Sequence, residues 1–238
     1  MELIRSPVIK SPHAFTTRSG GVSAGPYATL NLSFAVGDEP ERVRENRRRV
    51  LEAFENPPLF ELDQVHGGEV VVAEGPGMAE GDAAITNTPG LLLRVSAADC
   101  YPVLLEDERT GAVAALHAGW RGLAAGIVEN TVKALAEHFG SRPEDLSAAI
   151  GPGICGACYQ VGPEVVAATA APARPDPRAP GRFLLDLAAG IRARLSALGV
   201  ERVWEAGRCT YEDEGLFSYR RQGKKSGRMW GVIQRAPA

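Results

Sequence analysis

The stretch LLLRVSAADCYPVLLEDERTGAVAALHAGWRG, residues 91–122, contains three short apolar runs separated by turn residues. The runs Leu91–Ser96, Pro102–Glu106 and Ala112–His117 have the length and composition of buried strands. Directly after them, Leu123–Phe139 repeats apolar residues at spacings of three and four, which predicts a helix that ends at Gly140. Strands that follow one another before a helix favour a mixed fold over a barrel of strictly alternating strands and helices.

The same patterns extend in both directions from this stretch. Glu39–Glu55 and Asp186–Leu198 each have one apolar face, which predicts two more helices. Six further runs predict strands: His13–Thr17, Glu69–Ala73, Gly81–Ile85, Leu146–Ile150, Arg202–Ala206 and Trp230–Gln234. The sequence therefore predicts an α+β (mixed α/β) fold, a single domain over residues 1–238 with a mixed sheet and a few packed helices.

One proline-rich stretch interrupts this pattern. Residues 170–181 contain four prolines, a density that neither a helix nor a central strand accepts. Because apolar patterning continues on both sides, we expect an exposed loop inserted within the one domain.

Composition excludes several classes of protein. Hydrophobic residues make up 45% of the 238 residues and charged residues 23%, as in soluble globular proteins. A net charge of −3 does not favour a nucleic-acid partner, and the apolar runs are too short to span a membrane. The first ten residues lack the apolar run of a secretory signal, so we expect a cytoplasmic protein with reduced or metal-bound thiols.

Two histidines and one cysteine occupy the ends of predicted strands. His66 and His117 each stand beside glycine, and Cys100 lies between them at the junction of two apolar runs. Two imidazoles and one thiolate suit zinc, with a fourth position left for water, and such an ion supplies hydroxide at neutral pH. Asp99, next to the thiol, is a candidate for orienting a ligand or for transferring a proton.

Ordinary structural roles compete with this interpretation. Histidines at strand ends often bond to the backbone, and a single cysteine often serves as a small buried apolar residue. The pair Cys155 and Cys158 forms a C-x-x-C sequence, which is redox-active in some proteins and half of a zinc site in others. Its Gly- and Pro-rich surroundings, without a second C-x-x-C, favour a structural turn.

Several arginines lie in Gly- or Ser-rich turns. Arg18, Arg121 and Arg220 are candidates for binding an anion, because guanidinium groups hold phosphate with two hydrogen bonds and glycine turns expose backbone N–H groups. The competing interpretation is ordinary surface arginine.

The chain has no G-x-x-x-x-G-K-[ST], G-x-G-x-x-G before a helix, or G-x-S-x-G motif, which argues against P-loop, NAD and serine-hydrolase chemistry.

Taken together, a set of motifs along nearly the whole chain resembles one bacterial family. The chain resembles the purine nucleoside phosphorylases long labelled multicopper polyphenol oxidase or laccase domain, a family that also contains peptidoglycan-editing factors. The matching segments are Thr16–Ser23, Asn31–Leu32, Val36–Asp38, Gln64–Gly67, Gly81–Ala83, Ala98–Pro102, His117–Gly122, Gly151–Ile154, Cys158–Gly162, Cys209–Tyr211 and Phe217–Arg221.

This resemblance implies a function. The family's zinc ligands correspond to His66, Cys100 and His117, and its activity is phosphorolysis of purine nucleosides to a free base and ribose 1-phosphate. Adenosine deamination and methylthioadenosine phosphorolysis are associated activities. We therefore expect a nucleoside and phosphate as partners, with Cys100 and Asp99 in catalysis. The expected substrate contacts are Gln64, Arg18, Arg121 and Arg220.

Two departures from the family pattern and two alternative functions remain. Ala35 stands where many members have histidine, and Ala157 stands where many have the first of two adjacent cysteines. An amidase that edits peptidoglycan precursors would use the same zinc chemistry. Copper oxidation of phenols is less well supported, because four histidines in the whole chain are too few for a four-copper set.

Overall fold

The strands and helices follow one another irregularly along the chain. The computed structural model describes residues 1–236. The strands are β1 (Leu3–Ile4), β2 (His13–Thr16), β3 (Leu59–Asp63), β4 (Val70–Val72), β5 (Gly77–Glu80), β6 (Ala83–Thr86), β7 (Leu92–Ala97), β8 (Tyr101–Asp107), β9 (Val113–Ala118), β10 (Leu146–Ile150), β11 (Gln160–Val161), β12 (Ala173–Pro175), β13 (Phe183–Leu185), β14 (Arg202–Glu205) and β15 (Met229–Gln234). The helices are α1 (Pro40–Glu52), α2 (Trp120–Ala124), α3 (Ile127–Phe139), α4 (Pro163–Thr169), α5 (Leu187–Ala197) and α6 (Tyr219–Gln222).

The strands form three sheets with parallel and antiparallel pairs. The first sheet has the order β1-β2-β15-β7-β3-β5, and the second β14-β10-β8-β9-β6-β4. A small third sheet has the order β11-β13-β12. The predicted mixed α/β class is confirmed, although the strands divide into three sheets where one was expected.

The two large sheets pack face to face, with helices on their outer sides. Phe15 and Leu93 of the first sheet share one core cluster with Leu104 and Ala115 of the second. The outer face of the second sheet packs against α3 and α5, and the outer face of the first packs against α1 through Val50. Each layer thus buries its apolar side against a neighbour, as layered mixed folds require.

The helix expected over Leu123–Phe139 is two helices in the structure. Gly126 has a φ of 78°, in the left-handed region that glycine adopts without strain, and it separates α2 from α3. The first of the two, α2, begins directly after Gly119, two residues beyond His117. The expected helices at Glu39–Glu55 and Asp186–Leu198 are present as α1 and α5, and Asp186 caps α5 through its side chain. Among residues 1–236, no helix has the length and apolar character needed to cross a membrane.

The proline-rich stretch is mostly exposed but does not consist of loop alone. Its residues Ala173–Pro175 form β12 and pair antiparallel with β13. Proline is acceptable there because β12 is an edge strand, where a missing N–H leaves no central partner unsatisfied.

Candidate functional site

His66, Cys100 and His117 converge at one edge of the two packed sheets. One potential ligand atom from each side chain lies within 4.8 Å of the other two. His66 lies in the connection from β3 to β4, and Cys100 in the connection from β7 to β8, so both segments cross from the first sheet to the second. His117 lies in β9 opposite Pro102 of β8. The sequence interpretation that these three residues meet agrees with this geometry.

Asp82 contacts both the ring of His117 and the loop that carries His66. Its Oδ1 lies 2.8 Å from Nδ1 of His117, and its Oδ2 accepts N–H bonds from Gly67 at 2.7 Å and Val65 at 3.1 Å. With Nδ1 engaged, Nε2 is the His117 atom available as a ligand. The sequence did not single out Asp82, although an acid inside the predicted buried strand Gly81–Ile85 was a signal, since a buried carboxylate requires partners.

Without a metal ion, the electrostatics of the three residues favour a Cys100 thiolate beside a protonated His117 imidazolium. Burial alone would raise the pKa of the Cys100 thiol, but His117 and His66 lower it below its ordinary value. Burial alone would lower the pKa of His117, but Cys100 and Asp82 raise it. A thiolate is the form of cysteine that binds metal ions and attacks electrophiles.

Backbone conformation at the site is unusual. His66 has a φ of 62° and Asp99 a φ of 90°, in a region that residues other than glycine seldom adopt. Gly119 also matters locally, because a Cβ there would lie 2.8 Å from Sγ of Cys100. Strained backbone of this kind is concentrated at functional sites.

The three residues lie on the wall of a cavity of about 860 Å³. This volume is within the range of small-molecule sites. Apolar side chains at its wall include Phe34, Met78 and Tyr219, all exposed. The polar and charged residues that line it, besides the three, are Ser33, Arg47, Glu61, Asp63, Gln64, Arg94, Ser96, Asp99, Trp120, Arg121, Tyr159, Arg220 and Arg228.

Asp99 is held firmly at the cavity wall. Its Oδ1 accepts a 2.6 Å bond from the Thr210 hydroxyl, and its Oδ2 accepts a 2.6 Å bond from the backbone N–H of Arg220. Its own carbonyl accepts the N–H of Ile154. These contacts fix the orientation of the carboxylate beside Cys100.

The sequence-predicted residues Arg121, Arg220 and Gln64 also reach the cavity. The Arg121 guanidinium stacks on Trp120 and makes no ion pair within residues 1–236. Arg220 stacks on Tyr159 and donates to the carbonyl of Gln160. The Gln64 amide donates to the carbonyl of Ser96 and accepts its N–H, so both of its ends are used to hold the end of β3 beside β7.

Arg18, an expected substrate contact, is not among the residues that line this cavity. Its guanidinium donates to the carbonyls of Ala28 and Glu214 and lies over the Phe217 ring. The arginines that the sequence missed are Arg47 and Arg94, which both pair with Glu61, and Arg228. Arg47 lies in α1, Arg94 in β7 and Arg228 directly before β15, and none has a local anion-binding pattern, so only the tertiary structure brings them to the cavity.

A second cluster lies outside the cavity lining. Cys155 and Cys158 form the expected turn, in which the N–H of Cys158 bonds to the carbonyl of Cys155. Cys209 and Glu212 join them, and one potential ligand atom from each of the four residues lies within 4.8 Å of the others. The arrangement is able to hold a metal ion, and the sequence missed it because Cys209 is distant along the chain.

Comparison with known proteins agrees with this geometry. Residues 12–236 match the family described as multi-copper polyphenol oxidoreductase laccase. A Deinococcus radiodurans protein named purine nucleoside phosphorylase is 48% identical over 237 residues, which cover 98% of this chain and 92% of that protein. The Escherichia coli purine nucleoside phosphorylase YfiH is 42% identical, with 92% and 91% covered.

A solved structure extends the likeness to the fold. The crystal structure of YlmD from Geobacillus stearothermophilus superposes with a TM-score of 0.90 at 33% identity, covering 98% of this chain and 94% of that one. Sequence and structure thus agree over nearly the full length of the described chain. The chain belongs to the multi-copper polyphenol oxidoreductase laccase family, whose curated relatives include proteins named purine nucleoside phosphorylase.

Proposed function

We propose that this protein is a zinc-dependent purine nucleoside phosphorylase, which converts a nucleoside and phosphate to a free base and ribose 1-phosphate. The observation that carries the proposal is the convergence of His66, Cys100 and His117 on the wall of the 860 Å³ cavity. The name of the 48% identical relative supports the same reaction.

The donor set fits zinc. Two imidazoles and one thiolate with a position left open are typical of catalytic zinc sites, and a carboxylate bonded to the remaining nitrogen of a ligand histidine is a usual support. His66, Cys100 and His117 would hold the ion, with Asp82 behind His117. When bound, zinc would supply positive charge and a water of lowered pKa.

Copper fits less well because the histidines are dispersed. His13 is buried and bonds to the backbone of Ser6 and Ser11, and His138 lies at the exposed end of α3. Only His66 and His117 of the four histidines meet, too few for a set of several copper ions.

The chain's own residues account for the other requirements of phosphorolysis. The bond from ribose C1′ to the purine nitrogen breaks as a phosphate oxygen bonds to C1′, so the phosphate charge must be held in place. Arg121 and Arg220 form no ion pair within residues 1–236, so their positive charge is available to phosphate. Each oxygen of Asp99 keeps a lone pair that can accept a proton, and Phe34 and Tyr219 offer apolar surface to a base.

The same site would support the associated activities. Deamination of adenosine requires a hydroxide, which attacks C6 and displaces ammonia. A zinc site with three protein ligands would provide that hydroxide. Methylthioadenosine differs from adenosine at the 5′ position, away from the bond that phosphate breaks. Hydrolysis of an amide in a peptidoglycan precursor is the second candidate, because the same hydroxide can attack a carbonyl.

The test is release of free base from inosine, adenosine and methylthioadenosine, measured with and without inorganic phosphate, together with the zinc content. We expect His66→Ala and Cys100→Ala to lose the zinc ion held by His66, Cys100 and His117, and with it the phosphate-dependent release. His138→Ala is the matched control, since that exposed histidine lies outside the cavity, and it should behave as wild type.

Two results would contradict the proposal. If the free base is released equally well without phosphate, the enzyme hydrolyses the nucleoside and is not a phosphorylase. Bound zinc without nucleoside turnover would favour the amidase, for which release of the free amino group from a muropeptide is the assay.

A further inference from the structure

The cluster of Cys155, Cys158, Cys209 and Glu212 has no part in the reaction proposed above. None of the four residues lines the large cavity, and the three cysteines are free thiols. The three thiols are half-buried, whereas Glu212 is exposed and places a carboxylate oxygen 3.8 Å from Sγ of Cys155. Three sulfur atoms and one oxygen therefore face a common centre.

The donors and their spacing are those of a structural metal site. Structural zinc sites are closed and tetrahedral, commonly with two cysteines separated by two residues and further ligands from a distant segment. Thiolates select zinc over magnesium or calcium, which prefer sets of oxygen atoms. A disulfide would use only two of the three sulfur atoms and would leave Glu212 without a role.

The local backbone holds the two segments together in a fixed register. Gly153 and Cys209 form an isolated parallel bridge, and the N–H of Thr210 bonds to the carbonyl of Gly153 at 3.0 Å. The N–H of Cys155 points at Sγ of Cys209, 3.4 Å away. An N–H that donates to sulfur stabilises a thiolate, as ligand sulfur atoms require.

We infer that Cys155, Cys158, Cys209 and Glu212 bind a second zinc ion, which is structural and distinct from the ion proposed for His66, Cys100 and His117. Its four protein ligands leave no open position, so it would take no part in the reaction.

The consequence of this site concerns the cavity. Cys158 precedes Tyr159, which lines the cavity, and Cys209 precedes Thr210, whose hydroxyl holds Asp99. In residues 206–218 the bridge at Cys209 is the sole element of regular pairing. An ion that joins this segment to the 155–158 turn would therefore stabilise the wall that positions Asp99, because metal binding to a folded site contributes directly to folding.

Elemental analysis of variants separates the two sites. We expect two zinc ions per chain in the wild type, one in Cys100→Ala and one in Cys209→Ser. Loading with Co²⁺ gives a second readout: thiolate-to-cobalt absorption should be strong in Cys100→Ala, whose intact site has three thiolates, and weak in Cys209→Ser, whose intact site has only that of Cys100. Glu212→Gln should bind the second ion more weakly, whereas Glu214→Gln, on the same loop and exposed, should not.

The inference can fail independently of the proposed function. It is overturned if Cys100→Ala protein, purified without chelator, binds neither zinc nor Co²⁺, or if thiol titration of that protein finds a disulfide. Because this arm leaves all four residues of the cluster intact, it remains decisive even if Cys209→Ser does not fold. Suppose that the wild type binds one ion, which Cys209→Ser loses and Cys100→Ala keeps. That result would support the site at Cys155, Cys158, Cys209 and Glu212 and contradict the one at His66, Cys100 and His117.

Discussion

The Asp82 carboxylate lies 2.8 Å from Nδ1 of His117 and also accepts the N–H of Gly67, the residue after His66. One buried acid therefore orients the ring of one proposed ligand and fixes the loop of the other. Because each of its oxygens has a separate task, the amide of asparagine cannot replace it.

Asp82→Asn should weaken zinc binding by roughly 10- to 100-fold, the usual cost of losing such a support. Its amide N–H₂ would face the N–H groups of Gly67 and Val65, leaving donors without an acceptor. Competition with a chelator measures the affinity. Asp145→Asn, in a surface ion pair with Arg142, is the control, and equal affinities in the two variants would contradict the assigned role.

Gly119→Ala should displace the Cys100 thiol. The new Cβ would lie 2.8 Å from Sγ of Cys100 and 3.5 Å from Cδ2 of His66, while the backbone at 119 is extended and accepts alanine. Overpacking of this kind costs about 1–3 kcal/mol, so we expect roughly 10- to 100-fold weaker zinc binding. Gly75→Ala, where a Cβ meets open space, should leave the metal content unchanged.

Arg121→Ala should raise the KM for phosphate by roughly 10- to 100-fold, since hydrogen bonds to charged groups contribute about 1.5–3 kcal/mol. Arg18→Ala should leave that KM unchanged and instead lower the melting temperature, because Arg18 ties two loop carbonyls together and stacks on Phe217. Initial rates over a series of phosphate concentrations distinguish the two variants. A similar rise in both would return Arg18 to the substrate contacts.

Because of His13, the free energy of unfolding should decrease as the pH falls below 6.5. Burial lowers the pKa of His13 from its ordinary value of 6.5, and its ring is already bonded to Ser6 and Ser11 as a neutral group. Below pH 6.5 the unfolded chain binds a proton that the folded chain does not, so the free energy of unfolding decreases until the pH reaches the folded pKa.

Denaturant titrations at several pH values measure this effect. His13→Gln should show a smaller loss of stability just below pH 6.5 than the wild type. His138→Gln, which changes an exposed histidine, should retain the wild-type pH dependence. Identical slopes for His13→Gln and wild type would show that His13 titrates normally.

The sequence by itself determined the mixed α/β class, which follows from apolar runs of strand and helix length. For His66, Cys100 and His117, their positions at strand ends left ordinary structural roles open, and the resemblance of the surrounding motifs to a known family selected them as a set. The short strands β1 and β5 were missed because they are too brief or too exposed to show a pattern, and each forms by pairing with a neighbour.

Only the tertiary structure added the residues that no local pattern had placed with that trio. Asp82, Arg47 and Arg94 reach the site through contacts between segments far apart in sequence, and Cys209 joins the C-x-x-C turn in the same way. Arg18 carries the same local signal as Arg121, yet it turns to Phe217 and backbone carbonyls. Local sequence fixes the character of a side chain, whereas the packing of sheets and loops fixes its neighbours, and chemistry depends on both.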